Sequence, residues 1–239
     1  MITLEIACNS YNSCLHALHG GAQRIELFEN LREGGCTPSY GMIQKVKQTI
    51  ALPLFVMIRP RGGNFYYTND ELDIMLRDIE VCKQLRVDGI VLGAITAAGK
   101  VDAGRCRTLL SAWNHGPATF HRAIDTCNDI MLAAQTVIDL GFNTILTSGG
   151  ERTAEEGMHT IQLLQHHFGH NINIMAGSGI TALNAISILE TCKIEYLHAS
   201  CKTNESIPSR ALNKVIQETE QYSDPLSIRA LRETIDTRT

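Results

Sequence analysis

Eight short apolar runs alternate with amphipathic stretches along most of the chain, and that rhythm limits the fold more than any other feature. Apolar runs bounded by turn residues and separated by helix-length patterns are the signature of βα units around a parallel sheet. The predicted strands are 3–8, 24–28, 53–59, 89–94, 118–123, 144–149, 172–177 and 196–200. Between the third and fourth, Leu72, Met75, Leu76 and Ile79 share one helical face, and Thr68 or Asn69 is placed to cap its start. Eight such units in 239 residues predict an α/β fold, a (β/α)8 TIM-type barrel. The whole of 1–239 reads as one domain, with 202–239 as a closing C-terminal helical segment broken near Pro225. An open doubly wound sheet is the alternative, but no GxGxxG follows the first strand, so no nucleotide cofactor is expected.

Charge and cysteine usage narrow the partners. A formal charge of −4 and a pI near 6.1, without a lysine or arginine run, argue against a nucleic-acid binder. No apolar segment reaches the roughly 18 residues of a membrane span, and the first residues lack a signal-peptide pattern, so a cytoplasmic location is expected. Eight cysteines without a CxxC pair fit reduced thiols.

Side chains of a strand alternate between two faces, so in a barrel one set meets the helices and the other fills the interior. Leu4, Ile6, Ile25, Leu27, Leu54, Val56, Ile58, Phe120, Leu197 and Ala199 mark the helix-facing set. The complementary positions are Glu5, Glu26, Met57, Arg59, Thr119, His121, Ser148, Met175, His198 and Ser200, most of them polar or charged. For any one of these, a structural ion pair such as Arg59 with Glu5 or Glu26 is the plain explanation. For the whole set a ligand pocket explains more, because barrel interiors are otherwise filled by branched apolar side chains and desolvating polar groups is costly. Glu5, Glu26, His121 and His198 are therefore the catalytic candidates.

The loops at the C-terminal ends of the strands add anion-binding candidates. "RPRGG" supplies Arg59, Arg61 and two glycines, a combination suited to a phosphate or carboxylate. "MAGSGIT" places Gly177, Ser178 and Gly179 where many barrels hold phosphate at a helix N-terminus, although glycines there also serve a tight turn. Cys14, Cys82, Cys106 and Cys192 fall in helical stretches and read as packing residues. Cys8, Cys36, Cys127 and Cys201 fall at or after strand ends, and thiolates near Met57 and Met175 would suit Cu(I).

The segments "EIAC", "GGAQRIEL", "EGGCTPSYG", "MIRPRGGNFYYTNDE", "TFHRAID", "LTSGG", "MAGSGIT" and "HAS", in order, resemble the CutC family of copper homeostasis proteins. The resemblance runs from about Leu4 to Ser200. It implies a (β/α)8 barrel, a cytoplasmic location, self-association into homo-oligomers and a role in handling Cu(I), with Cys8 matching the family cysteine that ends the first strand. Phe28 stands where family members often carry a second cysteine, and Cys36 is the substitute ligand that the resemblance leaves. Two readings stay open: a Cu(I) protein using Cys8 and Cys36 as metal ligands, and a lyase- or isomerase-type enzyme acting on a small phosphorylated or carboxylate metabolite.

Overall fold

The structure is a computed structural model that describes residues 2–203 and 222–237, so the middle of the 202–239 segment lies outside the described residues. Eight parallel strands close into a barrel in chain order: β1 (Thr3–Cys8), β2 (Arg24–Leu27), β3 (Leu54–Met57), β4 (Gly89–Leu92), β5 (Ala118–Phe120), β6 (Thr144–Thr147), β7 (Asn173–Gly177) and β8 (Tyr196–Ala199). Pairing of β8 with β1 completes the ring. Helices α1 (Tyr11–Gly20), α2 (Tyr40–Thr49), α3 (Asn69–Gln84), α4 (Ala103–Trp113), α5 (Ile130–Asp139), α6 (Met158–Phe168) and α7 (Ala185–Cys192) follow the first seven strands, and α8 (Pro225–Asp236) follows β8. This is the TIM-type barrel that the strand rhythm predicts. Several strands are shorter than their apolar runs, because residues such as Arg59 and His121 leave the ladder to enter the loops above it.

The alternation of side chains builds two separate interiors. Leu4, Ile6, Ile25, Val56, Ile58, Phe120 and Leu197 point outward and merge with the apolar faces of the helices into one continuous core. Each such side chain contributes about 1.5–3 kcal/mol on burial. Inside the ring a smaller apolar cluster of Ala7, Phe28, Phe55, Met57 and Val91 is kept apart from it. Phe55 fills the ring because β4 opens on Gly89, where a Cβ would lie 2.4 Å from Phe55 Cε1.

Local sequence sets the helix ends. Thr68 and Glu71 form a reciprocal capping box on α3, which buries Met75, Ile79 and Cys82 while Leu72 and Leu76 pack half-buried at its edge. Pro225 starts α8, behind an Asp224 side chain that accepts from Ser227 N. α8 buries Ile228, Leu231 and Ile235 and lies so close to α1 that a Cβ on Gly20 would come within 2.4 Å of Ile228 Cγ2.

Candidate functional site

A cavity of about 690 Å³ opens at the C-terminal ends of the strands. Its wall includes Glu26, Phe28, Met57, Arg59, His121 and His198 from the barrel, and Phe65, Arg122, Ser178, Gly179 and Cys201 from the loops. Two sectors of this wall differ in how their polar groups are satisfied.

On the first sector, strand register assembles a charged network. Glu5 lies opposite Arg24 across the β1–β2 ladder and opposite His198 across β1–β8. Arg24 Nε donates to Glu5 Oε2 at 2.5 Å, and Glu5 Oε1 is 2.7 Å from His198 Nδ1. The Arg24 guanidinium also stacks on Phe55 at 4.1 Å and reaches Met175 Sδ at 3.4 Å. Burial alone would raise Glu5, but Arg24 and His198 outweigh it and hold the carboxyl below its usual range. Burial likewise opposes charge on His198, yet Glu26 and Glu5 hold its pKa above the ordinary value. Glu26 differs from Glu5: burial raises it to about 7, with the His198 charge pulling the other way. Its Oε2 is 3.5 Å from His198 Nε2, while its Oε1 is buried with no hydrogen-bond partner among the described residues. A carboxyl that titrates near neutrality and keeps one free oxygen at a cavity is equipped to move a proton.

The second sector holds polar groups with unfilled valences. The two terminal nitrogens of Arg59 donate to the carbonyls of Glu33, Gly35 and Gly63 at 2.6 to 2.7 Å, so Arg59 pairs with neither Glu5 nor Glu26. Gly35 and Gly63 adopt φ of 93° and 80°, the left-handed turns that aim those carbonyls inward. The guanidinium lies 4.8 Å over Phe65; Arg59 is 2% exposed, and among the described residues its Nε–H and the buried Tyr67 hydroxyl beside it lack a well-formed hydrogen bond. His121 packs on the same Phe65, with ring centroids 4.8 Å apart. Gly93 makes room for it, since a Cβ there would lie 2.7 Å from His121 Nδ1. Ala123 N donates to Nδ1 at 3.2 Å, which puts the ring proton of the neutral imidazole on Nε2, a buried atom with no partner among the described residues. Burial first, and the Arg59 charge second, lower His121 to about 3, so the ring is neutral at physiological pH.

Other sequence candidates fall elsewhere. Arg61 does not line the cavity: its Nε donates to Glu71 Oε1 at 2.5 Å, and its terminal nitrogens bind Asn64 and the carbonyls of Gly62 and Tyr66, tying the "RPRGG" loop to the cap of α3. Gly177 lies within β7, where a Cβ would meet Leu146 Cδ1 at 2.6 Å. Ser178 and Gly179 do reach the wall, with φ of 80° and 75°, and Ser178 Oγ donates to Arg152 O at 2.8 Å. α7 starts only at Ala185, six residues beyond Gly179, so this turn is not at a helix N-terminus.

The two metal candidates are not brought to the cavity. Cys8 points to the helix layer, fully buried beside Cys14, and burial pushes its thiol well above the ordinary value. Cys36 is half-buried in a bridge with Glu29, the two residues exchanging backbone hydrogen bonds of 2.8 and 3.0 Å. Phe28 is an apolar part of the cavity wall. A different group offers metal-type donors: one atom each from Glu5, Glu26 and His198 lie within 4.8 Å of one another.

The sequence candidates do not include Arg24, which the structure brings into the charged network, or Arg122, which lines the cavity. Arg24 shares the parity of Glu26 on β2, so the alternation that found Glu26 also marks it. Arg122 follows His121 in "TFHRA", where its Nε donates to Asp125 and one terminal nitrogen to Ser148 Oγ, both at 2.8 Å.

Known proteins resemble this chain along most of its length. The CutC family model matches residues 2–203. A copper homeostasis protein cutC homolog from Homo sapiens is 42% identical over 200 residues, covering 84% of this chain and 73% of that protein. A family protein CutC from Xylella fastidiosa strain Temecula1 is also 42% identical over 200 residues, covering 84% and 75%. Among solved structures, a copper homeostasis protein CutC from Streptococcus agalactiae superposes with a TM-score of 0.80 at 33% identity, over 84% of this chain and 99% of that one. A thiamine phosphate pyrophosphorylase from Pyrococcus furiosus, at a TM-score of 0.61 and 14% identity over 99% of this chain and 96% of that one, shares the fold alone. With the family model covering nearly all of the barrel and relatives of this identity, the chain belongs to the CutC family.

Proposed function

We propose that the barrel mouth is an acid–base site for a small phosphorylated or carboxylate metabolite, with chemistry of the lyase or isomerase type. The observation that carries this reading is Glu26: a buried carboxyl at the cavity, raised to about 7, with Oε1 unpartnered among the described residues. Glu26 exchanges the proton, His198 stabilises its ionised form, and Arg24 and Glu5 fix the His198 ring. Arg59 supplies a buried positive charge whose hydrogen-bonded partners are neutral carbonyls, a setting that favours an anionic ligand. The Ser178–Gly179 turn lines the opposite rim of the same cavity.

Thermal unfolding against a panel of small phosphate and carboxylate metabolites tests this. Near saturation a cognate anion raises the midpoint by about 2–4 °C. Glu26→Gln retains that shift but loses turnover by about 10²–10⁴-fold. A panel without any stabilising anion contradicts the reading.

A second reading, handling of copper in the cytoplasm, is supported by the names of the relatives and by the Glu5, Glu26 and His198 donors. Eight free thiols suit a reducing compartment. The residues fit Cu(I) poorly, since Cu(I) takes soft thiolate or thioether ligands and Cys8 is a protonated thiol in the helix layer. An anaerobic Cu(I) titration of the parent and Cys8→Ala against a competing chelator decides it: tight binding lost with Cys8 would establish a thiolate site.

A further inference from the structure

The wall of the cavity at the barrel mouth is mostly carbon. Phe28 and Leu31 after β2, Phe65 after β3, Leu146 on β6, and Ile180 and Leu183 after β7 all line it. Leu183 is 98% exposed, an apolar side chain held in water at the rim. At about 690 Å³ the cavity falls within the ~300–1,000 Å³ of sites that bury most of their ligand, and such sites combine an apolar lining with a few placed polar groups. A short polyhydroxylated phosphate would set its hydroxyls against this carbon and lose bonds to water without replacement. Two cations that reach solvent border the same space, Arg122 after β5 and Lys202 after β8. Asp125 and Ser148 hold Nε and one terminal nitrogen of Arg122, both at 2.8 Å, while the other terminal nitrogen has no hydrogen bond among the described residues. Asp125 does not use up that charge, because its oxygens also accept from Thr147 Oγ1, Ser148 N and Gly150 N. Arg122 and the 178–183 segment flank one loop: the guanidinium reaches Glu151 O at 3.4 Å, and Ser178 Oγ reaches Arg152 O at 2.8 Å. An anion held at Arg122 therefore has the apolar wall of β6 and the β7 loop beside it.

We infer that the ligand is an amphipathic anion, a carboxylate or phosphate head that carries an apolar body, with the head at Arg122 and the body against Leu146, Ile180 and Leu183. This rests on the anion-site reading above and deepens it by naming what the anion carries; it does not depend on which group moves a proton. The open edge of the Arg122 guanidinium fixes the head, which keeps part of its hydration because Arg122 itself reaches solvent. Lys202 adds positive potential at the mouth and favours entry of an anion over a neutral ligand. The body leaves water altogether, so buried carbon supplies most of the affinity and the head supplies orientation. The ligand also covers Leu183, the one wall leucine that the fold leaves almost fully in water.

The test uses two homologous series, n-alkyl phosphates from methyl to hexyl and n-alkanoates from acetate to heptanoate, with glycerol 3-phosphate as the polar control. Affinities are measured by calorimetry near neutral pH, at concentrations where every probe is monomeric. In the parent each added methylene is expected to tighten binding about threefold to fourfold, so that the hexyl member exceeds the methyl member by about 100-fold or more. The series that binds identifies the head. Leu183→Ser, at a position too exposed to disturb the fold, is expected to weaken the longest member by about threefold or more and leave the shortest unchanged. Arg122→Gln is expected to weaken all members by a common factor of about tenfold without changing the increment per methylene, and Arg122→Lys to recover part of that loss. Should Arg122→Gln lower the unfolding midpoint, Leu183→Ser still decides the placement of the body. Affinities that do not rise with chain length, or glycerol 3-phosphate binding as tightly as hexyl phosphate, overturn the amphipathic ligand and leave the anion reading intact. A rise that Leu183→Ser does not alter overturns it as well, because the chain then lies on another surface. If neither series nor the polar control binds, the inference falls together with the reading beneath it.

Discussion

The two faces of β1 make opposite uses of neighbouring residues. Glu5 turns into the ring, where Arg24 and His198 keep it ionised in spite of complete burial. Cys8, three residues on, turns to the helices, where burial beside Cys14 keeps it a protonated thiol. The contrast separates packing from chemistry. The residue that the family resemblance singles out does the work of a small apolar side chain, while hard charged groups that copper handling does not require occupy the interior.

Breaking the interior network should have the largest effect. Arg24→Met leaves Glu5 buried with His198 as its remaining partner and is expected to cost about 3–5 kcal/mol in urea unfolding at neutral pH. A loss under about 1 kcal/mol would mean that water replaces the guanidinium, and that the ring is wetter than its burial implies.

Titration sharpens the contrast next. Glu26 is raised from 4.5 to about 7, so between those values the unfolded chain releases a proton that the folded chain retains. Native stability attributable to Glu26 therefore falls as pH rises through that window and is level above it. Glu26→Gln should gain on the parent across the same window, as read by unfolding midpoints; parallel curves would contradict the shift. His121 carries the opposite sign. Its pKa is lowered from 6.5 to about 3, so below 6.5 the unfolded chain binds a proton that the folded chain refuses. Stability is lost as pH falls through that range, and His121→Asn should flatten this acid limb.

The helix side should give the smallest response. Cys8→Ala removes one buried sulfur and is expected to cost about 1 kcal/mol while leaving Cu(I) affinity unchanged. Loss of tight copper binding in that variant would reverse the division of labour along β1.

Much of this was legible in the sequence, and the rest was hidden for physical reasons. The βα rhythm fixed the barrel, and the period-two alternation within strands sorted Ile6 from Glu5 and Phe120 from His121 without any contact being known. Which interior groups meet is set by the register of the closed ring, a non-local quantity. The partners of Glu5 are therefore Arg24, at the start of β2, and His198 on β8, whereas the loop arginines follow β3. Arg61 misleads because its nearest acceptor is local: the Glu71 carboxylate of the α3 capping box takes its guanidinium before any ligand can. That competitor is visible in the sequence as Thr68 followed three residues later by Glu71. The outward turn of Cys8 also follows from parity with Leu4 and Ile6; the resemblance to metal-handling relatives obscured it.

The most direct measurement follows the Glu26 proton itself. Infrared difference spectra of the parent against Glu26→Gln, between about pH 5 and 9, isolate the band of one protonated carboxyl. The acid–base account predicts a band that vanishes with a midpoint near 7 and is absent from the variant. A midpoint near 4.5, the ordinary glutamate value, would contradict it and leave the polar interior as structure alone.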